Sequence, residues 1–201
     1  MERHPDLFTL YGDSFADRNK LKTELILANS VAVNTMLDIG CNTGYIAESY
    51  LLSKKARKVF GIEMEPVIKE SLLADPRFKL LGTDVTKYVY KNYFNVVVYA
   101  STHHHIFWKH GKNVAFRVFK DAVDHCTQTM FFEMGCLAQG AGYWGDEIAK
   151  YFKTDDEHLD ALMDTVKGKV EKIEEIGRLP ICGYNRPIYK ITKVGITAKR
   201  K

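Results

Sequence analysis

The stretch TMLDIGCNTGY, residues 35–45, constrains this chain more than any other. A short apolar run reaches Asp38, and Gly40 and Gly44 then bracket Cys41, Asn42 and Thr43. A strand that runs into a glycine-bracketed turn, followed by a helix, forms a cradle for a nucleotide-like ligand. Gly40 lets the backbone turn sharply, and Gly44 lets the ligand approach the start of the next helix. Asn42 is one of the few other residue types that tolerate a left-handed backbone, so the loop keeps its shape without a middle glycine.

The rest of the chain repeats this alternation. NTMLDIG, ARKVFGIE, RFKLLGTD, FNVVVYAS and TMFFEMG read as five strands. Val96, Val97 and Val98 are apolar without alternation, as in a strand covered on both faces. RNKLKTELILANS reads as a helix with Leu21, Leu25 and Ala28 on one face and Ser14 or Asp17 as its cap. Further helices are expected over Gly44–Leu52 and from Pro66 onward. Another runs from about Asn113 to Cys126, with a stripe of Ala115, Val118, Phe119, Ala122 and Cys126. TDDEHLDALMDTV carries a capping box, Thr154 to Glu157, then Leu159, Leu162, Met163 and Val166 at helical spacing. VEKIEEIG and RPIYKITKV, joined by RLPICGYN, read as an antiparallel hairpin. Strands alternating with helices and closing on a hairpin specify an α/β fold, a doubly wound, mostly parallel sheet.

Composition sets the limits. A chain of 201 residues is the size of one domain, and 46% hydrophobic with 27% charged residues provides a core and argues against disorder. No apolar run is long enough to cross a membrane, and MERHPDLFTLYGDSFADRNK lacks the pattern of a secretory signal, so a cytoplasmic protein is expected. The net charge of +4 is mild, and part of it lies in the terminal AKRK, read as a solvated tail. Cys41, Cys126, Cys136 and Cys182 include no Cys-x-x-Cys pair, which suits reduced thiols better than disulfides or zinc.

In a doubly wound sheet the ligand lies beyond the carboxyl ends of the strands, where strand order reverses. A dinucleotide needs Gly-x-Gly-x-x-Gly, and Gly40-Cys41-Asn42-Thr43-Gly44 has the wrong spacing. Asp38, when it does not merely cap the turn, would also repel a pyrophosphate. It would attract a cation. S-adenosylmethionine carries a sulfonium and an ammonium and has no phosphate.

LDIGCNTGY resembles the first motif of the class I S-adenosylmethionine-dependent methyltransferases, and the likeness extends over about residues 34–134. It implies a Rossmann-like seven-stranded sheet, S-adenosyl-L-methionine as cofactor, and a binding shell of Asp38, Gly40, Asn42, Gly44, Glu63, Asp84, Val85 and Ser101. Glu63, ending the second strand, matches the acid that grips both ribose hydroxyls, with Glu65 as a solvated neighbour. Asp84 in LLGTDV matches the acid near the adenine amino group; capping a short helix is its competing role. FNVVVYASTHHHI resembles the fourth-strand segment of the small-molecule branch, which ends Ser-x-x-His-His-Ile. The single domain then divides into a helical segment 1–32, a cofactor-binding core 34–134, a substrate lid 136–167 with Tyr143 and Trp144 as stacking surfaces, and a hairpin 168–195.

His103, His104 and His105 raise the question of a metal. Consecutive side chains on an extended segment point apart, so no metal is expected. His104 and His105 are the candidates for a catalytic base, with packing as the competing role, and Phe107 and Trp108 either wall the chamber or fill the core. Glu133, ending strand five, either holds a substrate group or is a buried structural acid. Arg186 suits a phosphate or carboxylate, and a surface ion pair is its ordinary role. The Asn/Asp-Pro-Pro-aromatic motif for nucleobase amines is absent, with ASTHHH in its place. SFADRNKL, MFFEMG and GYNRPIYKI together resemble methyltransferases of sugars and polysaccharide ends, and NRPIY resembles a branch acting on terminal phosphates of RNA. The expected activity is O-methylation of a glycan or other small hydroxylated molecule. An RNA or terminal-phosphate acceptor and a catalytically silent cofactor-binding subunit are the alternatives. No basic stripe supports nucleic acid, and the oligomeric state is not legible.

Overall fold

The apolar runs pair into one sheet. The structure, a computed structural model, describes residues 12–181 and 184–195. In chain order the elements are α1 (Gly12–Ala28), β1 (Val33–Ile39), α2 (Tyr45–Leu52), β2 (Ala56–Glu63), α3 (Glu70–Leu73), β3 (Phe78–Gly82), β4 (Phe94–Ala100), α4 (His103–His110), α5 (Lys112–Asp124), β5 (Cys126–Glu133), α6 (Trp144–Ala149), α7 (Asp155–Asp164), β6 (Val170–Ile181) and β7 (Tyr184–Lys193). The strand order is β3-β2-β1-β4-β5-β7-β6. β1 pairs in parallel with β2 and with β4, while β7 runs antiparallel to both β5 and β6. The order therefore reverses between β1 and β4, and the crevice at their carboxyl ends is the expected place for a ligand.

Both faces of the sheet are covered. Val97 and Tyr99 of β4 join one core with Phe107, Phe119 and Phe132, and Val96 and Val98 join the other with Ile26, Tyr50 and Val59. This is why the β4 run shows no alternation. Each large apolar side chain buried here contributes about 1.5–3 kcal/mol. Asp155 to Asp164 is capped as its sequence requires, with Thr154 Oγ1 accepting from Glu157 N at 3.1 Å. Glu157 accepts in return from Lys153 N, one residue earlier than in a standard capping box.

Several local expectations are corrected. α1 buries Lys22, Thr23 and Ile26 and leaves Leu21 exposed, because Lys22 has a buried carboxylate to meet. Ser14 and Asp17 lie inside α1 and are not its cap. The segment from Pro66 stays irregular until α3, where it places Ile68 and Leu72 against the Gly44 turn. The three histidines open a helix and do not extend the strand. Cys126 begins β5, and the hairpin strands run up to residues 181 and 184, so most of RLPICGYN belongs to the strands. Cys182, AKRK and residues 1–11 lie outside the described residues.

Gly40 has φ +72°, and a Cβ there would stand 2.1 Å from Thr102 Oγ1. That hydroxyl donates to the Ile39 and Ala100 carbonyls at 3.3 and 3.1 Å, sealing the ends of β1 and β4 together. Gly40→Ala is therefore expected to destabilise the fold by about 1–3 kcal/mol in urea unfolding. Gly82→Ala, where a Cβ meets nothing within 4 Å, is expected to stay within about 0.5 kcal/mol of the parent.

Candidate active site

The loop after β1 carries three left-handed residues, Gly40, Asn42 and Gly44, at φ +72°, +47° and +78°. Two backbone hydrogen bonds, from Gly40 N and Cys41 N to the Ile62 carbonyl, pin the turn to the end of β2. Glu63 leans over it: Oε2 accepts from Asn42 N at 3.0 Å, and Oε1 from Met64 N at 2.8 Å and Glu65 N at 3.3 Å. Asp38 lies beneath, 3% exposed, and its Oδ2 has no hydrogen-bond partner. Burial pushes the Asp38 carboxyl up to about 7, with Lys22 opposing the rise and Glu63 adding to it. On the same edge Asp84 caps the 3₁₀ turn Val85–Lys87, its Oδ1 accepting from Thr86 N and Oγ1. Val85 packs on the neighbouring core.

Further along the crevice, β5 ends on Glu133, which is fully buried. Lys22 Nζ approaches Oε2 at 2.7 Å, and Arg186 Nη1 donates to Oε1 at 3.0 Å. Ser101 donates to Oε2 at 2.7 Å and accepts from Lys22 at 2.6 Å. Its φ of +57° is a strained value for serine, of the kind that clusters at functional sites. Arg186 Nε also donates to Gln139 Oε1, and the guanidinium lies 5.7 Å from the Trp144 ring. Burial works against the Glu133 charge, but Lys22 and Arg186 outweigh it and hold the carboxyl down at about 2.

The histidines separate because successive side chains on a helix diverge by about 100°. His103 faces the core beyond, its Nε2 3.2 Å from His158 Nε2 and its Nδ1 3.4 Å from the Tyr99 hydroxyl. The His104 ring lies tilted against Trp144 and His105, with centroids 4.5 and 4.3 Å away, and its buried Nδ1 has no partner. Burial, with the charges of His105 and Arg186 next, pushes His104 well below the usual imidazole range. Burial, then Arg186 and Lys109, brings His105 down to about 4, so both rings are neutral at pH 7. Trp144 is seated on Gly135 and Gly140, where a Cβ would come within 2.3 and 2.5 Å of the indole. Tyr143 packs on Trp108 at 4.3 Å.

Asp38, Glu63 and the glycine turn thus share one end of the crevice, and Ser101, His104, His105 and Glu133 the other. Asp84 stands on the first side, occupied with its own turn. Lys22 was missed in the sequence, because the leucine spacing of α1 pointed to another face. His158 was hidden among the acidic residues that open α7. No sequence signal joined Arg186 to Glu133, 53 residues earlier. Among the described residues, no three His, Cys, Asp or Glu side chains converge as metal ligands do.

Neither a family model nor a curated protein matches the sequence. Solved structures match it through their fold. The N-methyltransferase NodS from Bradyrhizobium japonicum WM9, in complex with S-adenosyl-L-homocysteine, is 12% identical with a TM-score of 0.64, over 94% of this chain and 93% of that one. The chain has the class I methyltransferase fold. A TehB-like SAM-dependent methyltransferase from Corynebacterium glutamicum is 15% identical at TM-score 0.60, over 95% of this chain and all of the other. A chain of the Pnkp1/Rnl/Hen1 RNA repair complex is 15% identical at TM-score 0.61, over 88% of this chain and 41% of its own length. The expected Rossmann-like seven-stranded sheet with its antiparallel hairpin is present.

Glu133→Gln removes the charge shared by two buried cations and is expected to lower stability by about 3–5 kcal/mol. Because the folded pKa is depressed, the Glu133 contribution is complete above its unfolded value of 4.5 and disappears as pH falls toward about 2. Urea unfolding of the parent should therefore lose stability across that acid window, and the variant should lose less. Equal stability of the two proteins at neutral pH contradicts the role given to the triad.

Proposed function

We propose that this chain is an S-adenosylmethionine-dependent methyltransferase acting on an oxygen of a sugar, a polysaccharide end or another small hydroxylated molecule. The observation that carries the reading is Asp38, a buried carboxylate with an unpartnered oxygen under a left-handed loop at the switch point of a methyltransferase fold. Such a group fits an ammonium and repels a pyrophosphate. Gly40, Asn42 and Gly44 offer backbone to the cofactor, Glu63 suits its ribose hydroxyls, and Asp84 with Val85 flanks its base. Bound there, S-adenosylmethionine supplies a methyl group made electrophilic by the sulfonium.

The chain then has to hold the acceptor oxygen in line and keep water out. Residues 136–167 cover the acceptor side, with Trp144 fixed by the glycines beneath it and by His104. The neutral His104, its Nδ1 unpartnered, can accept a hydrogen bond from an acceptor hydroxyl; its lowered basicity makes it a weak base, which takes the proton only as the oxygen is methylated. Glu133, engaged on both oxygens, positions Lys22, Ser101 and Arg186.

Two outcomes are expected. Asp38 must be ionised to meet an ammonium, so calorimetric affinity for S-adenosylhomocysteine should rise as pH increases through about 7. Since the folded pKa is raised, the Asp38 contribution to stability of the free protein is complete below 3.8 and lost as pH rises through about 7. Asp38→Asn should bind the ligand more weakly and without that pH dependence; a parent affinity that is flat across this range contradicts the assignment. His104→Ala should lower turnover roughly 100-fold with affinity for S-adenosylhomocysteine unchanged. Undiminished turnover makes His104 a packing residue.

A further inference from the structure

Lys22 from α1 and Arg186 from β7 bring two positive charges to one carboxylate. Both are nearly sealed from water, at 6% and 5% exposure. Burying an ion costs several kcal/mol unless it is compensated, and Glu133 carries one negative charge for the two of them. Asp38 is the other acid that Lys22 senses, and on the proposed reading it is committed to the cofactor ammonium. His104 and His105 add no negative charge, and they remain uncharged beside the cations. Asp155 also feels Arg186, but its Oδ1 is engaged by Leu137 N; among the described residues, Glu133 is the carboxylate that ion-pairs with both cations directly.

The donors point the same way. Lys22 has three N–H bonds and spends two directions, on Ser101 and Glu133. Arg186 has five and uses Nε and Nη1, on Gln139 and Glu133. Among the described residues, Nη2 of Arg186 meets no acceptor. Trp144 beneath the guanidinium and Gln139 beside it hold the planar fork in one orientation. A fixed fork next to an ammonium matches the paired oxygens of a phosphate or a carboxylate. The unpartnered Nδ1 of His104, equally buried, belongs to the same lining. A neutral sugar would offer these charged donors neutral oxygens alone, which make the weaker hydrogen bonds.

We infer that the acceptor is an anion, bearing a phosphate or a carboxylate that Lys22 and Arg186 bind across Glu133. This names the substrate class of the proposed methyltransferase and rests on that reading. Glu133 serves as the positioning residue that keeps both cations in place.

The test uses the full chain loaded with S-adenosylhomocysteine, whose own calorimetric binding is measured first. If that ligand does not bind, the methyltransferase reading fails, and the anion inference with it. When it binds, glucose 1-phosphate, glucuronate and glucose are titrated at constant ionic strength. The expected result is binding of one or both anions and none of glucose, the phosphate and carboxylate arms separating the two sources. Arg186→Gln should weaken the binding roughly tenfold or more, with the S-adenosylhomocysteine affinity intact. Arg186→Lys keeps the charge without the fork and serves if the glutamine variant does not fold. Retention of the anion by both variants, or a parent that takes S-adenosylhomocysteine but binds the three sugars alike, overturns the inference.

Discussion

The Glu133 carboxylate, held between Lys22 and Arg186, is the interaction on which the site depends. It draws together α1, the turn after β4, the end of β5, the segment leading to α6, and β7. Apart from the end of β5 and the segment that follows it, these lie far apart in sequence. Desolvation of three charges opposes the arrangement, and their mutual attraction together with the Ser101 and Gln139 hydrogen bonds offsets it. The geometry has visible side effects. α1 turns a lysine inward and leaves Leu21 in water, and Ser101 is held in a left-handed conformation.

What could be read from the sequence follows a physical division. Strands with continuous apolar runs, such as 96–98, and helices with a clean stripe, such as α5, carry their burial in local composition. The Gly40–Gly44 turn was legible for a similar reason, since its backbone angles restrict residue type. The α1 face, the course of the chain after Pro66 and the state of the histidines were not, because distant partners decide them. Lys22 is buried through a residue 111 positions later in the chain, and periodicity holds no record of that. His103 and His104 look equivalent in the sequence, yet one faces His158 and the other Trp144.

Trp144 illustrates the same point at a finer scale. Its ring lies on Gly135 and Gly140 so closely that neither could carry a side chain, and Arg186 and His104 lie against it. The glycine-punctuated segment is expected as a substrate lid, and its central aromatic residue is seated against the end of β5. On the proposed reading, such a wall keeps water from the acceptor side and holds the Arg186 guanidinium in place.

On the proposed reading, Lys22 and Arg186 lie near a cationic methyl donor, and the placement of the two acids offsets that electrostatic conflict. Asp38 stands under the glycine loop and Glu133 under the histidines, with Lys22 felt by both. The two acids are tuned in opposite directions. Glu133 is ionised under all ordinary conditions because two cations contact it directly, whereas Asp38 lacks such contacts and sits near neutrality. On the proposed reading, arrival of a positively charged cofactor draws the proton from Asp38 and adds a negative charge where it is needed. Lys22 then shares its attraction between Asp38 and Glu133, while Arg186 stays fixed at the acceptor end by Gln139 and Trp144. On that reading, charge is adjusted at the cofactor end and held constant at the acceptor end.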